Sequence, residues 1–354
     1  MIPKMMKTYM LTAYNKLELR EVPVPEVGRD EVLCKIKAIA ICGTDPEIIN
    51  GKYKGKWPPE FPYTLGHEWS GEVVKVGEGV ASFNVGDRVA GEAHKGCGHC
   101  ANCMRGNYNL CLNYGKYESG HRHYGFTNPG ANAEYNVYSI KAIKKIPDNL
   151  SFAHASLVDT AGVALHGINL VGITVGGTVV VYGPGPIGLC ALQIVNHMGA
   201  KNVIMVGRKN RLQVAREIGV DYAIDFEKED PVQRIMEITG GKGADEVLEC
   251  SGAYQTIPQS IDCVKKGGKI SLIGNYEDDK VKIPSITKLV MNEILMIGSR
   301  ANPNVSDDVI NLFEKGILKG DKIVTHHFPL GKYEEALDVF VNRKGGAVKV
   351  VIEP

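Results

Sequence analysis

The spacing of apolar and polar residues changes near Phe152 and divides the 354-residue chain into two differently patterned parts. Before this point, short alternating runs are separated by Pro and Gly, as in Leu17–Glu21, Glu31–Ala40 and the stretch 71–77. Alternation with a period of two predicts half-buried antiparallel strands. The first part is therefore expected to be a mostly β domain, with its functional residues on the loops.

From Val179 onward, continuous apolar runs alternate with segments whose apolar residues recur at helical spacing. Expected strands lie at 179–182, 203–206, 222–224, 246–249, 269–273 and 294–297, and expected helices at 187–198, 210–218, 232–239 and 254–264. Strands joined by helical crossovers predict an α/β fold with a doubly wound parallel sheet. The tail contains a helix pair and a β-rich run, Ala347–Ile352, expected to return to the first domain. The expected domains are 1–157, 158–298 and a return segment, 299–354.

A glycine-rich turn follows the first strand of the second part. Its glycines have the spacing G-x-G-x-x-G, and a helical pattern begins within it. The residues expected to contact a ligand there are Gly183, Gly185, Pro186, Ile187 and Gly188. The first glycine turns the chain, the second lets the backbone approach a pyrophosphate, and the third lets helix and strand pack closely. Because a helix N-terminus also offers free N–H groups, this turn predicts a dinucleotide site.

The end of the second strand of that part bears on which nicotinamide cofactor is used. NAD-binding sheets of this type usually carry Asp or Glu there, to accept a hydrogen bond from the ribose 2′-hydroxyl. Here the strand ends in Gly207, and Arg208, Lys209 and Arg211 follow. Arginine pairs well with a phosphate, so we expect NADP(H) to be favoured over NAD(H), with Gly207, Arg208 and Arg211 near the 2′-phosphate.

Charge and composition exclude several classes of function. The formal net charge is +1, from 41 basic and 40 acidic residues, which gives no electrostatic reason to expect nucleic acid or an anionic membrane as a partner. No apolar run approaches the ~18 residues of a membrane-spanning helix. The first residues lack a hydrophobic signal core, so a cytoplasmic location is expected.

Four of the nine cysteines stand close together in a glycine-rich loop, with the spacing C-x2-C-x2-C-x7-C. They are Cys97, Cys100, Cys103 and Cys111. Four thiolates can surround one ion tetrahedrally, and soft sulfur ligands favour zinc over magnesium or calcium. Because four protein ligands leave no open position, this zinc would be structural. An iron–sulfur cluster is an alternative occupant of four cysteines.

A second set of metal-binding residue types is scattered through the first part. Cys42 lies in a Cys-Gly-Thr-Asp segment, and His67 and Glu68 lie in Gly-His-Glu. Each could be an ordinary core residue when considered alone. Together they form a mixed set of sulfur, nitrogen and oxygen ligands, which is typical of a catalytic zinc that keeps one position for substrate.

These segments occur in an order that resembles the zinc-dependent medium-chain alcohol dehydrogenases over nearly the whole chain. Within that family the sequence most resembles the polyol (sorbitol-like) and threonine dehydrogenases, and its segment Gly91–Cys100 resembles the threonine branch. The resemblance implies a Rossmann domain beside a GroES-like catalytic domain. It also implies two zinc ions per chain, one of them catalytic.

The same resemblance assigns roles to individual residues. The catalytic zinc would be held by Cys42, His67 and Glu68, with Asp159 as a further ligand that binds either directly or through a water molecule, because Asp is shorter than the usual Glu. Thr44 would pass on the proton of the substrate, and Asp45 would hold the loop. Residues after the later strands would reach the nicotinamide: Cys250, Ser251, Ile273, Ser299 and Arg300.

Several functions remain open at this point. The first is a zinc- and nicotinamide-dependent dehydrogenase of a secondary alcohol on a polyol or sugar, and the second is L-threonine 3-dehydrogenase. A dinucleotide-binding redox sensor is the non-enzymatic alternative, but it would need degraded zinc ligands. The substrate is expected to be a small molecule, and the relatives suggest a homotetramer or homodimer. Among other histidines, His94 is a candidate for the substrate pocket, whereas His121 and His123 are expected in a solvated loop.

Overall fold

The computed structural model describes residues 1–276, 283 and 286–354 and divides them into two compact units. The first unit consists of Met1–Asp159, Pro303–Glu314 and Ile323–Pro354. The second consists of Thr160–Asn302 and Lys315–Lys322. In the described residues no helix has the length and apolar character needed to cross a membrane.

The strands of both units are numbered here in chain order. They are β1 (Met5–Ala13), β2 (Lys16–Pro23), β3 (Glu31–Ala40), β4 (Tyr63–Thr64), β5 (Glu68–Val76), β6 (Arg88–Gly91), β7 (His94–Lys95), β8 (Arg122–His123), β9 (Tyr135–Ser139), β10 (Ile143–Lys145), β11 (Thr178–Tyr182), β12 (Asn202–Gly207), β13 (Tyr222–Asp225), β14 (Ala244–Glu249), β15 (Val264–Leu272), β16 (Leu295–Gly298), β17 (Val324–Pro329) and β18 (Lys349–Glu353).

The α-helices are numbered in the same way. They are α1 (Thr44–Ile49), α2 (Ala101–Met104), α3 (Phe152–Ala155), α4 (Val158–Val171), α5 (Pro186–His197), α6 (Lys209–Ile218), α7 (Pro231–Ile238), α8 (Thr256–Cys263), α9 (Ile286–Met291), α10 (Ser306–Glu314) and α11 (Tyr333–Val341).

The first unit is built around β3. Its largest sheet has the order β10-β6-β5-β3-β18-β17, and β9 also pairs with β3. The alternation in β3 predicts burial on one face, but seven of its ten residues are buried and the other three are half-buried. The physical reason is that Val32, Cys34 and Ile36 pack in one core cluster, whereas Leu33 packs in a second one. This strand is therefore covered on both faces.

The second unit is a six-stranded parallel sheet with the order β13-β12-β11-β14-β15-β16. This confirms the doubly wound α/β fold expected from the sequence. The order reverses at β11, where the neighbours β12 and β14 lie on either side, and such a switch point is where ligands bind in sheets of this kind. Residues that follow the strands therefore share the carboxyl edge of one sheet.

The segment after α8 differs from the expected pattern. The helix expected over 254–264 ends at Cys263, and residues 264–268 belong to β15. The register between β14 and β15 shifts between Ala244 and Glu246, and Gly267 has a φ of +71°. A bulged strand with glycine at a left-handed position lacks strict alternation, so the periodic pattern did not reveal it.

The compact units also differ from the expected domains at their edges. Val158 and Asp159 belong to the first unit, where the Asp159 carboxylate accepts a 3.4 Å hydrogen bond from the Ala93 N–H. Residues 299–302 belong to the second unit because the Ser299 N–H continues the sheet by donating to the Leu272 carbonyl at 2.8 Å. Residues 315–322 also belong there, and the Lys319 N–H donates to Gln193 at 2.8 Å.

Candidate functional site

Strand pairing in the first unit brings three distant segments together. The antiparallel register of β3 and β5 places Ala40 opposite Glu68, so Cys42 and His67 lie just beyond the paired ends. On the other side of β3, Val351 of β18 lies opposite Ala40, which places Lys349 at the same end of the sheet. The sheet itself therefore assembles this site, and flexible loops are not needed for it.

Cys42, His67 and Glu68 form a cluster suited to a metal ion. Their potential ligand atoms all lie within 4.8 Å of one another, and His67 and Glu68 are buried. Burial alone would lower the pKa of His67, but the charge and hydrogen bond of Cys42, with Asp45 and Glu68, raise it to about 10. These anions therefore favour a positive charge at this point, which a divalent cation would supply. The donor set fits zinc.

Glu68 is also held by a buried cation. Lys349 is only 2% exposed, and its ammonium group donates to the Glu68 carboxylate and, at 3.1 Å, to the Ile41 carbonyl. Burial would lower the pKa of Lys349, but Glu68 and Cys42 outweigh it, so the pKa is raised. A lysine buried in this way remains charged because its partner is a carboxylate.

Thr44 and Asp45 lie in the turn of α1 beside Cys42. Asp45 accepts a 2.8 Å hydrogen bond from the Cys42 N–H, and its other oxygen lies 3.8 Å from His67 Nδ1. The expectation that Asp45 holds the loop is thus matched by its contacts. Among the described residues, the Thr44 hydroxyl is buried without a hydrogen-bond partner. A buried hydroxyl without a partner beside a metal cluster is available to a ligand.

Asp159 lies outside the cluster of described residues whose ligand atoms are within 4.8 Å of one another. Burial raises the pKa of Asp159 to about 6, while nearby His67 lowers it and Glu68 raises it further. Asp159 thus acts on the cluster electrostatically, and its Oδ1 atom accepts from the Ala93 backbone. This position suits the indirect contact expected for the shorter side chain.

The four cysteines of the glycine-rich loop also converge, with their sulfur atoms within 4.8 Å of one another. The Cys97 and Cys103 sulfurs are 3.8 Å apart, and those of Cys100 and Cys111 are 4.0 Å apart. A tetrahedron with zinc–sulfur bonds of about 2.3 Å has edges of about 3.8 Å. Burial would raise the pKa of Cys97, but hydrogen bonds from the backbone of His99, from Asn113 and from Cys100 lower it to about 5. The geometry therefore fits a closed zinc site.

A stack of rings extends from the cluster. His67 lies 4.6 Å from Phe126, Phe126 stacks on His123 at 3.9 Å, and His123 stacks on His94 at 3.8 Å. The expectation of a solvated loop for His121 and His123 is wrong, because their exposures are 1% and 4%. Polar residues and glycines flank them in the sequence, and the tertiary contacts that bury them could not be seen there.

The glycine turn of the second unit has the geometry expected for a dinucleotide. Gly183 has a φ of +92°, and a Cβ on Gly188 would lie 2.0 Å from the Gly183 carbonyl oxygen. At Gly185 the nearest contact to such a Cβ is 3.7 Å, at Arg211 Nη1, so the space there is open. Helix α5 begins after Gly185 with Pro186 and has no side-chain cap. Its first N–H groups are thus available to a phosphate.

The residues at the end of β12 occupy three different positions. A Cβ on Gly207 would lie 2.4 Å from the Pro184 ring, so this strand end cannot carry an acidic side chain without rearrangement. Arg211 is near the glycine turn, because its Nη1 atom lies 3.7 Å from the position that a Cβ on Gly185 would occupy. Arg208 is the N-cap residue immediately before α6, and its guanidinium pairs with Glu227 at 2.9 Å. Sequence reasoning missed Glu227 because it follows a different strand.

Residues expected to reach the nicotinamide all follow the carboxyl ends of β14, β15 or β16. They are Cys250, Ser251, Ile273, Ser299 and Arg300. The Cys250 N–H donates to the Tyr182 carbonyl at 2.9 Å, and the Ile273 N–H donates to the Glu249 carbonyl at 2.8 Å. The buried side-chain carboxylate of Glu249 accepts hydrogen bonds from the hydroxyl groups of Ser251, Thr256 and Tyr276. This carboxylate, which the sequence did not single out, fixes the loop after β14.

Sequence reasoning also missed Lys349. It lies near the end of the chain within an apolar run, where a lysine is usually exposed at a strand edge. The signal that could have revealed it is a single charged residue inside a run, Ala347–Ile352, whose other members are all apolar.

Known proteins resemble both units. The family model for the alcohol dehydrogenase GroES-like domain matches residues 28–148, and that for zinc-binding dehydrogenase matches residues 186–315. The chain is 35% identical over 341 residues to sorbitol dehydrogenase from Halalkalibacterium halodurans, covering 95% of each chain. It is also 35% identical over 350 residues to L-threonine 3-dehydrogenase from Enterobacter sp. (strain 638), covering 97% of each.

A solved structure agrees over the whole chain. A zinc-binding dehydrogenase from Sinorhizobium meliloti 1021, bound to NADP, is 32% identical with a TM-score of 0.89 and covers 99% of this chain and 100% of its own. Since the two family models match most of the sequence and the relatives span nearly all of it, this chain belongs to the zinc-binding alcohol dehydrogenase family, with a GroES-like domain and a Rossmann-like domain.

Proposed function

We propose that this enzyme oxidises a secondary alcohol of a polyol or sugar, and reduces the corresponding ketone, with a nicotinamide cofactor and a catalytic zinc. The observation that carries the proposal is the cluster of Cys42, His67 and Glu68 beside the buried Thr44 hydroxyl. A redox sensor would not need intact zinc ligands. The resemblance to sorbitol dehydrogenase supports a polyol as the substrate class.

Each residue of the candidate site in the first unit has a role in this reaction. Cys42, His67 and Glu68 would hold the zinc ion, which would supply Lewis-acid polarisation of a substrate oxygen, while a nicotinamide cofactor would supply the hydride acceptor. Thr44 Oγ accepts the hydroxyl proton of the substrate as it releases its own hydroxyl proton, so that one proton leaves the site by this relay. Asp45 keeps the Cys42 backbone in place, and Lys349 orients the Glu68 carboxylate. Asp159 adds negative charge near His67.

L-Threonine 3-dehydrogenase is the second candidate. The threonine enzyme from Enterobacter has the same identity to this chain as the sorbitol enzyme. The segment Gly91–Cys100 also resembles the threonine branch, and it contains His94, whose ring belongs to the stack that begins at His67. An amino-acid substrate would be an alternative occupant of the same zinc site.

A substrate panel distinguishes the two candidates. We expect sorbitol, related polyols or sugar alcohols to give the highest kcat/KM when compared with simple secondary alcohols and L-threonine, each with NAD and NADP. A kcat/KM for L-threonine above that of every polyol would favour the second candidate. Activity with none of the compounds would argue against both.

Replacement of either Cys42 or His67 by alanine should abolish turnover while the fold survives, because these residues bind a metal rather than fill a core. Metal analysis should give two zinc ions per wild-type chain and one per variant chain, since the four-cysteine site remains. Full zinc content with full activity in Cys42→Ala would contradict the assignment.

Two matched cysteine variants serve as controls for this experiment. Cys34→Ala removes a buried thiol of β3 that is outside both clusters, so zinc content and turnover should persist. Cys103→Ser should instead remove the other zinc and lower the melting temperature, since a structural zinc contributes directly to folding free energy.

The buried ion pair makes a separate prediction. Lys349→Met leaves the Glu68 carboxylate without its buried partner and should lower the free energy of unfolding by about 3–5 kcal/mol. The double variant Lys349→Met, Glu68→Gln removes both charges and should recover at least half of that loss. Urea unfolding followed by circular dichroism measures both. A double variant as unstable as Lys349→Met alone would show that the pair is not the cause.

We infer that the cofactor site favours NADP(H) over NAD(H). The support is the absence of an acidic side chain at Gly207, the exposed guanidinium of Arg208 and the position of Arg211 near Gly185. A 2′-phosphate would pair with Arg208 through charge-assisted hydrogen bonds.

Arg208→Ala tests the preference, because the loss of these hydrogen bonds should lower kcat/KM for NADP by about ten-fold or more. The value for NAD should change little. Arg216→Ala, at the other end of α6, is the matched control and should leave both values unchanged. A wild-type enzyme that prefers NAD would contradict the inference.

We also infer a homo-oligomer, either a dimer or a tetramer. Strand β16 is an edge of the parallel sheet, and the exposed side chains near it include Leu295, Val290 and Met291. Open sheet edges with apolar neighbours are usually covered by another chain. Light scattering of the purified protein should give a multiple of the chain mass of 38.5 kDa. A monomer at micromolar concentration would contradict it.

A further inference from the structure

The guanidinium of Arg208 already has an anionic partner in the protein. Arg208 Nη1 lies 2.9 Å from Glu227 Oε1, and Lys209 Nζ lies 3.9 Å from the same oxygen. The guanidinium also lies 5.7 Å from the centre of the Phe226 ring. The Arg208 and Glu227 side chains are 44% and 38% exposed, so a ligand can reach the pair.

The fold, rather than chance rotamers, places these two side chains together. Strands β12 and β13 run parallel with Gly207 opposite Asp225, and the Phe226 N–H donates to the Gly207 carbonyl at 3.1 Å. The Glu227 N–H donates to the Asp225 carboxylate at 3.1 Å, which fixes the turn after β13. Arg208, the first residue beyond β12, therefore faces Glu227, the second residue beyond β13.

The surroundings of the pair are otherwise suited to an anion. Helix α6 begins at Lys209 with no side-chain cap and no acidic residue in its first turn. Cations at this end oppose the helix dipole unless an anion is present. Glu227 supplies that negative charge within the protein, and a phosphate of a bound ligand would supply it from outside.

We propose that Glu227 is a specificity-determining residue, whose carboxylate competes with the ribose 2′-phosphate of NADP for Arg208. This inference rests on the proposed pairing of Arg208 with that phosphate. Carboxylates and phosphates are both oxyanions with which a guanidinium forms charge-assisted hydrogen bonds. The 2′-phosphate must displace Glu227 and then lie near its charge, whereas the 2′-hydroxyl of NAD displaces nothing. Glu227 therefore lowers the affinity for NADP relative to that for NAD, so that the enzyme can still use NAD.

The test uses fragments of the cofactor, so it does not depend on turnover or on the substrate. Adenosine 2′,5′-bisphosphate carries the 2′-phosphate, and adenosine 5′-monophosphate lacks it. Calorimetry gives their dissociation constants for the full-length, zinc-loaded protein and for Glu227→Gln, Arg208→Ala and the double variant. Glu237→Gln, which breaks the exposed Arg234–Glu237 pair of α7 at 2.9 Å, is the matched control.

We expect Glu227→Gln to tighten binding of the bisphosphate by about three- to five-fold, the upper part of the range of an exposed ion pair, with the monophosphate unchanged. In the Arg208→Ala background, the same substitution should change bisphosphate binding by less than about two-fold, because Glu227 acts through Arg208. Glu237→Gln should change neither constant.

The possible failures are distinguishable. If the wild-type protein binds both fragments equally, the proposed NADP preference is wrong. If it prefers the bisphosphate but Glu227→Gln has no effect, or has an equal effect without Arg208, the competition is wrong and the cofactor proposal stands. Weaker binding of the monophosphate to Glu227→Gln would mean that Glu227 holds the ribose hydroxyls, which also overturns the inference.

Discussion

The concentration of negative charge at one end of β3 is the constraint on which the first unit depends. Cys42, Asp45, Glu68 and Asp159 all bring acidic groups to a region largely removed from water. Burial raises the pKa of Asp45 and of Asp159, which is the cost of placing carboxyl groups there. Cations must balance such a site. Lys349 supplies one charge from the protein, and a divalent metal ion would supply the rest.

This balance connects the end of the chain to its beginning. Lys349 belongs to β18, which arrives after the second unit and pairs with β3 next to the cluster. The site is therefore complete only when the C-terminal segment has returned to the first unit. Lys349 holds the Glu68 carboxylate, and a metal ion bound at the cluster would share that carboxylate with it.

Much of the fold followed from periodicity. The apolar strands that alternate with amphipathic helices after Val179 predicted the parallel sheet, because most of its elements, β15 excepted, follow a single spacing rule. The four cysteines and the glycine turn were predictable for a similar reason, since ligand spacing and turn geometry are local. By contrast, the burial of His121 and His123, the cation opposite Glu68 and the partner of Arg208 all depend on residues far apart in sequence. His123 of β8 and Phe126 just after it are close in sequence, but the His94 ring joins their stack only through the pairing of β7 with β8. No local pattern contains that information.

The most direct measurement of the proposed chemistry is anomalous diffraction at the zinc absorption edge from crystals of the protein purified without added metal. Two anomalous peaks per chain are expected. One should lie among the four sulfurs of Cys97, Cys100, Cys103 and Cys111, and the other within bonding distance of Cys42 and His67. A map with no peak at the Cys42–His67–Glu68 cluster, in protein that is active, would contradict the assignment of that cluster as the catalytic zinc site.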